Sequence, residues 1–244
     1  MSIALAIDTS TKFSSIALQL SDGSILCNET ESENSHDEEL ANLVQQTLSD
    51  ADLKAKDIRK LIIGSGPGSF TGLRIGFSFM KGLASALGLS LDVLPTFHAA
   101  ALASVVEQGT VAVLSDAKRS EWFMQIFEIL DANKIKEKIS LKIYSQLEVE
   151  NLLSEHLVAE GACILSNSVE DLLSLTKNAS KSLRLNNLNM IAKGLILLDN
   201  IKFPRLNPSA ESDELELAYA EPSYLRAVFA QTISERAGAK SSGH

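Results

Sequence analysis

The chain has 244 residues, 45% of them hydrophobic, which is enough to bury one large core or two lobes of roughly 100 to 120 residues each. Its formal net charge of −9 argues against tight unaided binding to nucleic acid, because such affinity comes mostly from Lys and Arg that neutralise phosphates. No stretch approaches the roughly 18 apolar residues of a membrane span, and the N-terminus lacks the basic region of a signal peptide. We therefore expect a cytoplasmic protein without a membrane partner.

The first hundred residues predict a meander of three strands, followed by alternating helices and strands. Strands are expected over 3–8, 14–20 and 25–30. Asp22 and Gly23 form the hairpin turn between the last two. The tetrapeptide SHDE at 35–38 matches a capping box, so a helix should begin there and run to about residue 50. A buried strand LIIGSG, a Gly-Pro-Gly turn, a helix ending near Gly88, a strand LDVLP and a helix at 97–107 should follow.

The same order of elements begins again at Thr110. A strand TVAVLSD, a turn AKRS, a strand EWFMQIFEI and a strand near 134–143 precede further alternation of helix and strand. This repeat predicts an α/β fold of duplicated βββαβα lobes, the first over 1–107 and the smaller second over 108–210. In the remainder we expect an acidic linker or surface loop at 207–217, a segment at 220–236 that could return to the first lobe, and a disordered tail.

The stretch GPGSFTGLRIG at 66–76 is the most informative motif of the chain. The Gly-Pro-Gly turn should leave the amides of 69–71 pointing out of a helix N-terminus with Arg74 one turn on, a geometry that could hold an anion. A turn that merely needs glycine for positive φ is an equally good explanation. The motif matches neither GxxxxGK[ST] nor GxGxxG, so it predicts no P-loop and no Rossmann site.

The helix that follows this turn is apolar over about twice the roughly 100° of an ordinary surface helix, so it should be covered on two sides. One side must be its own sheet. On the other side Gly72 and Gly76 would let a second helix approach closely. That second helix could equally be the chain's own helix at 35–50 or a helix of another subunit. Arg74, Ser78, Lys81 and Ser85 form the remaining polar strip.

Two aspartates suggest a remnant of a nucleotide site. Asp8 and Asp116 each end a predicted strand before a short polar turn, as in folds whose two lobes hold ATP phosphates and Mg²⁺. Taken singly, such an aspartate is more often structural. Glycines after Gly109 are few and never adjacent, so a loop for the adenosine is missing and the site is half-built. Its predicted members are Asp8, Thr9, Ser10 and Asp116.

Metal and thiol chemistry find no support in the sequence. The four histidines, at 36, 98, 156 and 244, are too scattered for a metal cluster, and HExxH is absent. Cys27 and Cys163 lie far apart without a CxxC motif, which fits a reducing compartment and two small buried hydrophobic residues.

Four segments together resemble the bacterial TsaB (YeaZ) family. They are GPGSFTGLRIG, LAIDTST at 5–11, DAKRSEWF at 116–123 and EPSYLR at 221–226. The resemblance implies an actin/Hsp70-like (ASKHA, ribonuclease H-like) fold and a role in making N6-threonylcarbamoyladenosine beside the tRNA anticodon. It also implies a non-catalytic activating subunit, with no catalytic residue and no cofactor of its own.

The resemblance further implies the partners of the chain. These are the catalytic subunit TsaD, the ATPase TsaE and, when the chain is alone, a second copy of itself. It implies that tRNA is reached only through the complex, and that ATP or ADP would lie at the interface of the assembled complex. The helices at 36–50 and 71–87 become the interface. The implied partner-binding residues are His36, Leu40, Leu43, Val44, Thr47, Gly72, Arg74, Ile75, Gly76, Phe79 and Leu83.

The sequence departs from the catalytic relatives at their metal site. Those relatives begin the helix after the fifth strand with two metal-binding histidines four residues apart, and here Thr96 and Ala100 take those places. His98 should lie on a different side of the helix and cannot substitute for them.

Two other functions remain as alternatives. A stand-alone ATPase or sugar-kinase-like phosphotransferase would use Asp8 and Asp116. A peptidase is disfavoured because the chain has no HExxH motif, no GxSxG elbow and no Cys/His signature.

Overall fold

A computed structural model describes most of the chain. The described residues are 1–30, 36–104, 108–157, 163–166, 184–187, 191–204 and 206, with the backbone alone at 36–38 and 184–187. Several predicted features lie outside these residues: Ser35 of the predicted capping box, the loop at 207–217, the returning segment at 220–236 and the C-terminal tail.

Five strands form the first sheet. They are β1 (Ala4–Asp8), β2 (Ser15–Gln19), β3 (Ile25–Glu29), β4 (Lys60–Gly64) and β5 (Leu91–Leu94). The order is β3-β2-β1-β4-β5, with β1, β2 and β3 antiparallel and β4 and β5 parallel to β1. Every residue of β1 and β2 is buried, as expected for central strands that are covered on both faces. The predicted meander and its hairpin turn are confirmed.

The second sheet repeats this arrangement. Its strands are β6 (Gly109–Lys118), β7 (Glu121–Asp131), β8 (Lys134–Ser145), β9 (Cys163–Ser166) and β10 (Arg184–Asn187). The order is β10-β9-β6-β7-β8, with β6, β7 and β8 antiparallel and β9 and β10 parallel to β6. Numbered from its own first strand, each sheet therefore has the order 3-2-1-4-5. The duplicated actin/Hsp70-like fold class is confirmed.

Capping residues mark the ends of several of the helices. They are α1 (His36–Asp50), α2 (Phe70–Leu87), α3 (Thr96–Ala103), α4 (Gln146–His156) and α5 (Ile191–Asn200), with a short 3-10 helix at Ala55–Asp57. The hydroxyl of Ser69 caps α2 by accepting a hydrogen bond from the Gly72 amide at 3.1 Å. Gly88 ends α2 in a left-handed conformation with φ 64°. Ser145 and Glu148 form a capping box on α4.

The two lobes exchange helices across a shared middle layer. α1 and α2 cover the outer face of the first sheet, and α4 covers the outer face of the second. Between the sheets, α3 packs on β6 and β7, while α5 packs on β1, β2 and β4. The lobe limits of 1–107 and 108–210 stay predictions, because each of these helices packs on the sheet of the other half.

None of the helices in the described part of the chain is long and apolar enough to cross a lipid bilayer. Of the two cysteines, both of them free thiols, Cys163 is buried and Cys27 is half-buried. Burial raises the pKa of the Cys27 thiol.

His98 lies in the middle layer and connects α3 to the second lobe. Its Nε2 donates to a carboxylate oxygen of Glu137 on β8 at 2.9 Å. Its ring meets the edge of Phe127 at 4.7 Å and packs beside Phe203 at 4.9 Å between centroids. Burial lowers the pKa of the imidazole, and the opposing attraction of Glu137 only partly offsets this effect. The side chain is therefore neutral in the folded protein near pH 7.

This burial predicts an acid-sensitive contribution of His98 to stability. The unfolded imidazole takes up its proton near pH 6.5, whereas the folded one does so at a lower pH. Below about pH 6.5 the unfolded state therefore binds more protons, and the free energy of unfolding falls as the pH falls. We expect wild type to lose more stability than His98→Gln between pH 7.5 and 5.5 in urea titrations. Equal losses in the two proteins would contradict the burial argument.

Candidate functional site

The outer face of α2 carries an apolar strip that the chain itself leaves half covered. Ile75, Phe79 and Leu83 follow one another at four-residue spacing and are each half-buried. Leu43 of α1 is also half-buried, and all four side chains pack on the core that α1 and α2 form with the first sheet. We call Ile75, Phe79 and Leu83 the α2 strip. It is an apolar surface with its inner side supported and its outer side open.

The polar side of α2 begins with an aromatic and a cation. Phe70 is 40% exposed, and the guanidinium carbon of Arg74 lies 4.3 Å from its ring centroid. Arg74, Ser78 and Ser85 are exposed, as the helical spacing predicts. Sequence reasoning did not assign Phe70 to the surface, although its place at the first turn of α2 is the signal that could have found it.

The predicted partner-binding residues differ in their burial in the free chain. Leu40, Val44, Thr47, Gly72 and Gly76 are buried in the chain's own core, so they support the surface from beneath. Their burial follows from the packing of α1 and α2 on the first sheet. The side chain of His36 lies outside the described residues. Leu43, Arg74, Ile75, Phe79 and Leu83 remain accessible.

Gly76 does not form the predicted notch for a second helix. A β-carbon at this position would overlap the hydroxyl of Thr9 and lie 3.2 Å from its methyl carbon. The close approach is therefore between α2 and the turn after β1. A bulky residue at position 76 would clash with the chain itself, so it would not report on partner binding alone.

The turn after β1 is a closed hydrogen-bonded structure centred on Asp8, which is 1% exposed. One carboxylate oxygen accepts from the backbone amide of Ser10 at 2.9 Å and from its hydroxyl at 2.6 Å. The other accepts from the hydroxyl of Thr96 at 2.8 Å. The Thr96 hydroxyl in turn accepts from the Gly66 amide at 2.9 Å. These bonds join the end of β1, the loop after β4 and the start of α3.

The loop at 65–69 lies directly on this turn. A β-carbon at Gly68 would overlap the carbonyl oxygen of Ser10, and that oxygen accepts a hydrogen bond from the Ser69 amide at 2.7 Å. The Ser69 amide is one of the three that could have held an anion, and here it donates to Ser10 instead.

Asp116 differs from Asp8 in its surroundings. The strand β6 does not end at Asp116 but continues to Lys118 through an irregularity in its pairing. Asp116 has a side chain 31% exposed, and its oxygens accept from the amide of Lys118 at 2.6 Å and from its ammonium at 2.7 Å. Arg119 and Ser120 then make the turn with φ of 61° and 59°. The prediction that the strand ends at Asp116 is therefore wrong, because β6 continues to Lys118.

Three of the four predicted residues of the half-built nucleotide site, Asp8, Thr9 and Ser10, are closed off by the chain itself. In this fold class a cleft aspartate would hold Mg²⁺ through water, which requires oxygens open to the cleft. Both oxygens of Asp8 accept hydrogen bonds from the chain, and Thr9 and Ser10 are 1% and 2% exposed. These residues do not fit an Mg²⁺–nucleotide group. In the described part of the chain no three acidic, cysteine or histidine side chains are grouped as a metal site would need.

Comparison with known proteins gives the family. The sequence profile of the family described as "TsaD: tRNA N6-adenosine threonylcarbamoyltransferase" matches residues 24–174, more than half of the chain. The chain belongs to this family. Within it the chain is similar to TsaB (YeaZ) proteins: three of its curated relatives are named "tRNA threonylcarbamoyladenosine biosynthesis protein TsaB".

These TsaB relatives come from three bacteria. The protein of Bacillus subtilis is 30% identical over 124 residues, covering 51% of this chain and 54% of the relative. That of Haemophilus influenzae is 28% identical over 165 residues, covering 66% and 65%. That of Escherichia coli is 34% identical over 119 residues, covering 48% and 51%. The chain thus spans about half to two thirds of the length of the curated TsaB relatives that it matches.

Solved structures of YeaZ agree with the fold of this chain. "YeaZ from Pseudomonas aeruginosa" has a TM-score of 0.70 and 22% identity, covering 92% of this chain and 100% of that one. A second Pseudomonas aeruginosa structure, described as similar to peptidase YEAZ, has a TM-score of 0.72 and 21% identity, covering 93% and 100%. At these identities the likeness concerns the fold.

Proposed function

We propose that this protein is the non-catalytic activating subunit of the complex that attaches threonylcarbamoyl to N6 of the adenosine beside the tRNA anticodon. It binds the catalytic subunit TsaD through the α2 strip and the neighbouring Leu43 of α1. The observation that carries the proposal is the half-covered apolar row of Ile75, Phe79 and Leu83 on the outer face of α2. TsaB relatives at 28–34% identity support the pathway.

The chemistry of the strip fits a protein partner. Buried interface centres are apolar and rich in aromatic residues and Arg, with a polar rim around them. Phe79 provides an aromatic anchor in the strip. Arg74 is exposed and directly precedes Ile75, the first residue of the strip. We place homodimer formation of the isolated chain on the same surface, because a partner that covers the strip removes apolar area from water.

Catalysis belongs to the partner in this proposal. Asp8 is committed to Ser10 and Thr96, and Asp116 is bonded to Lys118, so neither is placed as a phosphate-transfer site would need. The chain carries no nucleotide of its own, and ATP or ADP binds at the interface of the assembled complex with TsaD, which TsaE joins. The net charge of −9 favours contact with tRNA through the complex in the cytoplasm.

The proposal is tested by reconstitution. Purified chain, TsaD and TsaE from the same organism are incubated with tRNA and the threonylcarbamoyl donor, and the modified nucleoside is quantified with each subunit omitted in turn. We expect product only when this chain is present with TsaD, and none from the chain alone. ATP turnover by the isolated chain that disappears in Asp8→Ala would instead establish the stand-alone ATPase alternative.

A further inference from the structure

We infer that the turn after β1 is a clamp that sets the position of α2, so that Asp8, Thr9 and Ser10 are positioning residues for partner docking. The inference rests on the proposed function, because it concerns the helix that carries the α2 strip. These are the residues that would line a nucleotide cleft in the fold class, and here they hold a helix. We call the segment Asp8–Ser10 the clamp.

The clamp holds the N-terminal end of α2 at one point. The carbonyl oxygen of Ser10 accepts from the amide of Ser69 at 2.7 Å, and Ser69 is the residue that caps α2. Gly68 packs against the same carbonyl with no room for a β-carbon. Because the capping residue is bonded to the clamp, the start of α2 must follow any movement of Ser10.

A second contact lies two turns further along α2. Thr9 packs against Gly76, which is next to Ile75 and three residues before Phe79 in the α2 strip. The contacts at positions 69 and 76 are about 10 Å apart along the helix axis, at about 1.5 Å per residue. Two fixed points at this separation determine both the direction of the helix and its rotation about its axis. Rotation matters most for docking, because it decides how far the strip faces outward.

Asp8 keeps the clamp rigid. Its carboxylate accepts from the amide and hydroxyl of Ser10 and from the hydroxyl of Thr96, all of them buried. Removal of these acceptors would leave buried donors without partners, which is costly unless the turn rearranges. A rearranged turn would release Ser10 from Ser69 and Thr9 from Gly76. Asp8 therefore acts on docking through α2 without touching the partner.

Thr9 offers a sharp test, because its hydroxyl contributes no hydrogen bond. Thr9 Oγ1 is buried and has no hydrogen-bond partner among the described residues, so the side chain acts on Gly76 by its shape. Thr9→Val keeps the shape and Thr9→Ala removes it. We expect Thr9→Val to bind TsaD like wild type, and Thr9→Ala and Asp8→Asn to weaken the affinity about tenfold in calorimetric titrations.

A matched control separates positioning from simple loss of stability. Val149 is fully buried between α4 and the second sheet, away from α2, and Val149→Ala should destabilise the fold through a small cavity. All affinities are measured at a temperature where unfolding curves show each variant folded. The clamp predicts that Val149→Ala binds within about twofold of wild type, at a loss of stability similar to that of Thr9→Ala.

The outcomes distinguish the inference from the function on which it rests. Wild-type affinity of Thr9→Ala and Asp8→Asn, together with loss of binding in Phe79→Asp, would overturn the clamp and leave the docking surface intact. Affinities that fall in proportion to stability in every variant, Val149→Ala included, would also overturn the clamp. Wild-type affinity of Phe79→Asp would remove the α2 strip from the interface, whereas the activating function itself is decided by the reconstitution with TsaD and TsaE. If Asp8→Asn does not fold, the pair at Thr9 decides the question.

Discussion

Replacing Phe79 by aspartate is expected to abolish binding of TsaD. Phe79 is the central residue of the α2 strip and is half-buried in the free chain, so a partner would complete its burial. A carboxylate there would be placed in an apolar contact without a counterion, and aromatic anchors of interfaces commonly contribute about 2 to 4 kcal/mol. We expect at least about a hundredfold loss of affinity by calorimetry, and separate elution of the two proteins in gel filtration.

A matched variant on the same helix controls for the added charge. Ser85 is exposed on the polar side of α2, so Ser85→Asp introduces the same carboxylate away from the α2 strip. This variant should bind TsaD like wild type. The isolated chain gives a second readout, because Phe79→Asp should be monomeric in light scattering while Ser85→Asp keeps the self-association of wild type. Loss of binding in both variants, or in neither, would remove the α2 strip from the interface.

Much of the fold could be predicted because its signals are local. The first meander follows from short apolar runs and from a two-residue turn at Asp22 and Gly23, which suits a hairpin. The limits of α2 follow from a serine that caps its start and from Gly88, which ends it with positive φ. Repetition of the same pattern after Thr110 was enough to predict two lobes with the same succession of elements, and the structure adds that their sheets share one strand order.

Contacts between segments that are distant along the chain could not be predicted from the sequence. Nothing in the pattern of α5 indicates that it leaves the second lobe to pack on β1, β2 and β4. The two aspartate turns share a sequence pattern, because both were predicted as a strand end followed by polar residues. Their difference depends on Thr96, which is far from Asp8 in sequence but donates to its carboxylate. Around Asp116 the nearby Lys118 takes that role.

On the surface of α2, too, the sequence predicted which residues share a side but not which segments of the chain cover them. Helical spacing predicted that Phe79 and Leu83 share a side of α2 with its first two glycines, and that Arg74, Ser78 and Ser85 share another. It could not say what covers each side. Gly76 was assigned to a helix crossing because small residues often mark one, whereas the neighbour that requires glycine is Thr9. A glycine in a helix predicts a close approach without identifying what approaches.

The close crossing of helices is found instead in the middle layer, and it leads to the largest expected change in stability. Gly194 of α5 lies against the backbone of Ala99 in α3, where a β-carbon would overlap the carbonyl and lie 2.9 Å from the Ala99 Cα. Backbone atoms cannot turn away as a flexible side chain can, so the two helices must separate. Gly194→Ala should lower the free energy of unfolding by about 2 to 3 kcal/mol in urea titrations.

Gly82 of α2 provides the control, because the same substitution there should have the opposite sign. A β-carbon at Gly82 meets no atom within 4 Å, so alanine adds no clash and reduces the conformational freedom of the unfolded chain. Gly82→Ala should therefore raise the free energy of unfolding by about 0.5 to 1 kcal/mol. Opposite signs would show that the α3–α5 contact, and not helix propensity, decides the result at Gly194. A stabilised Gly194→Ala would mean that the crossing is looser, and that the shared middle layer does not hold the two sheets together.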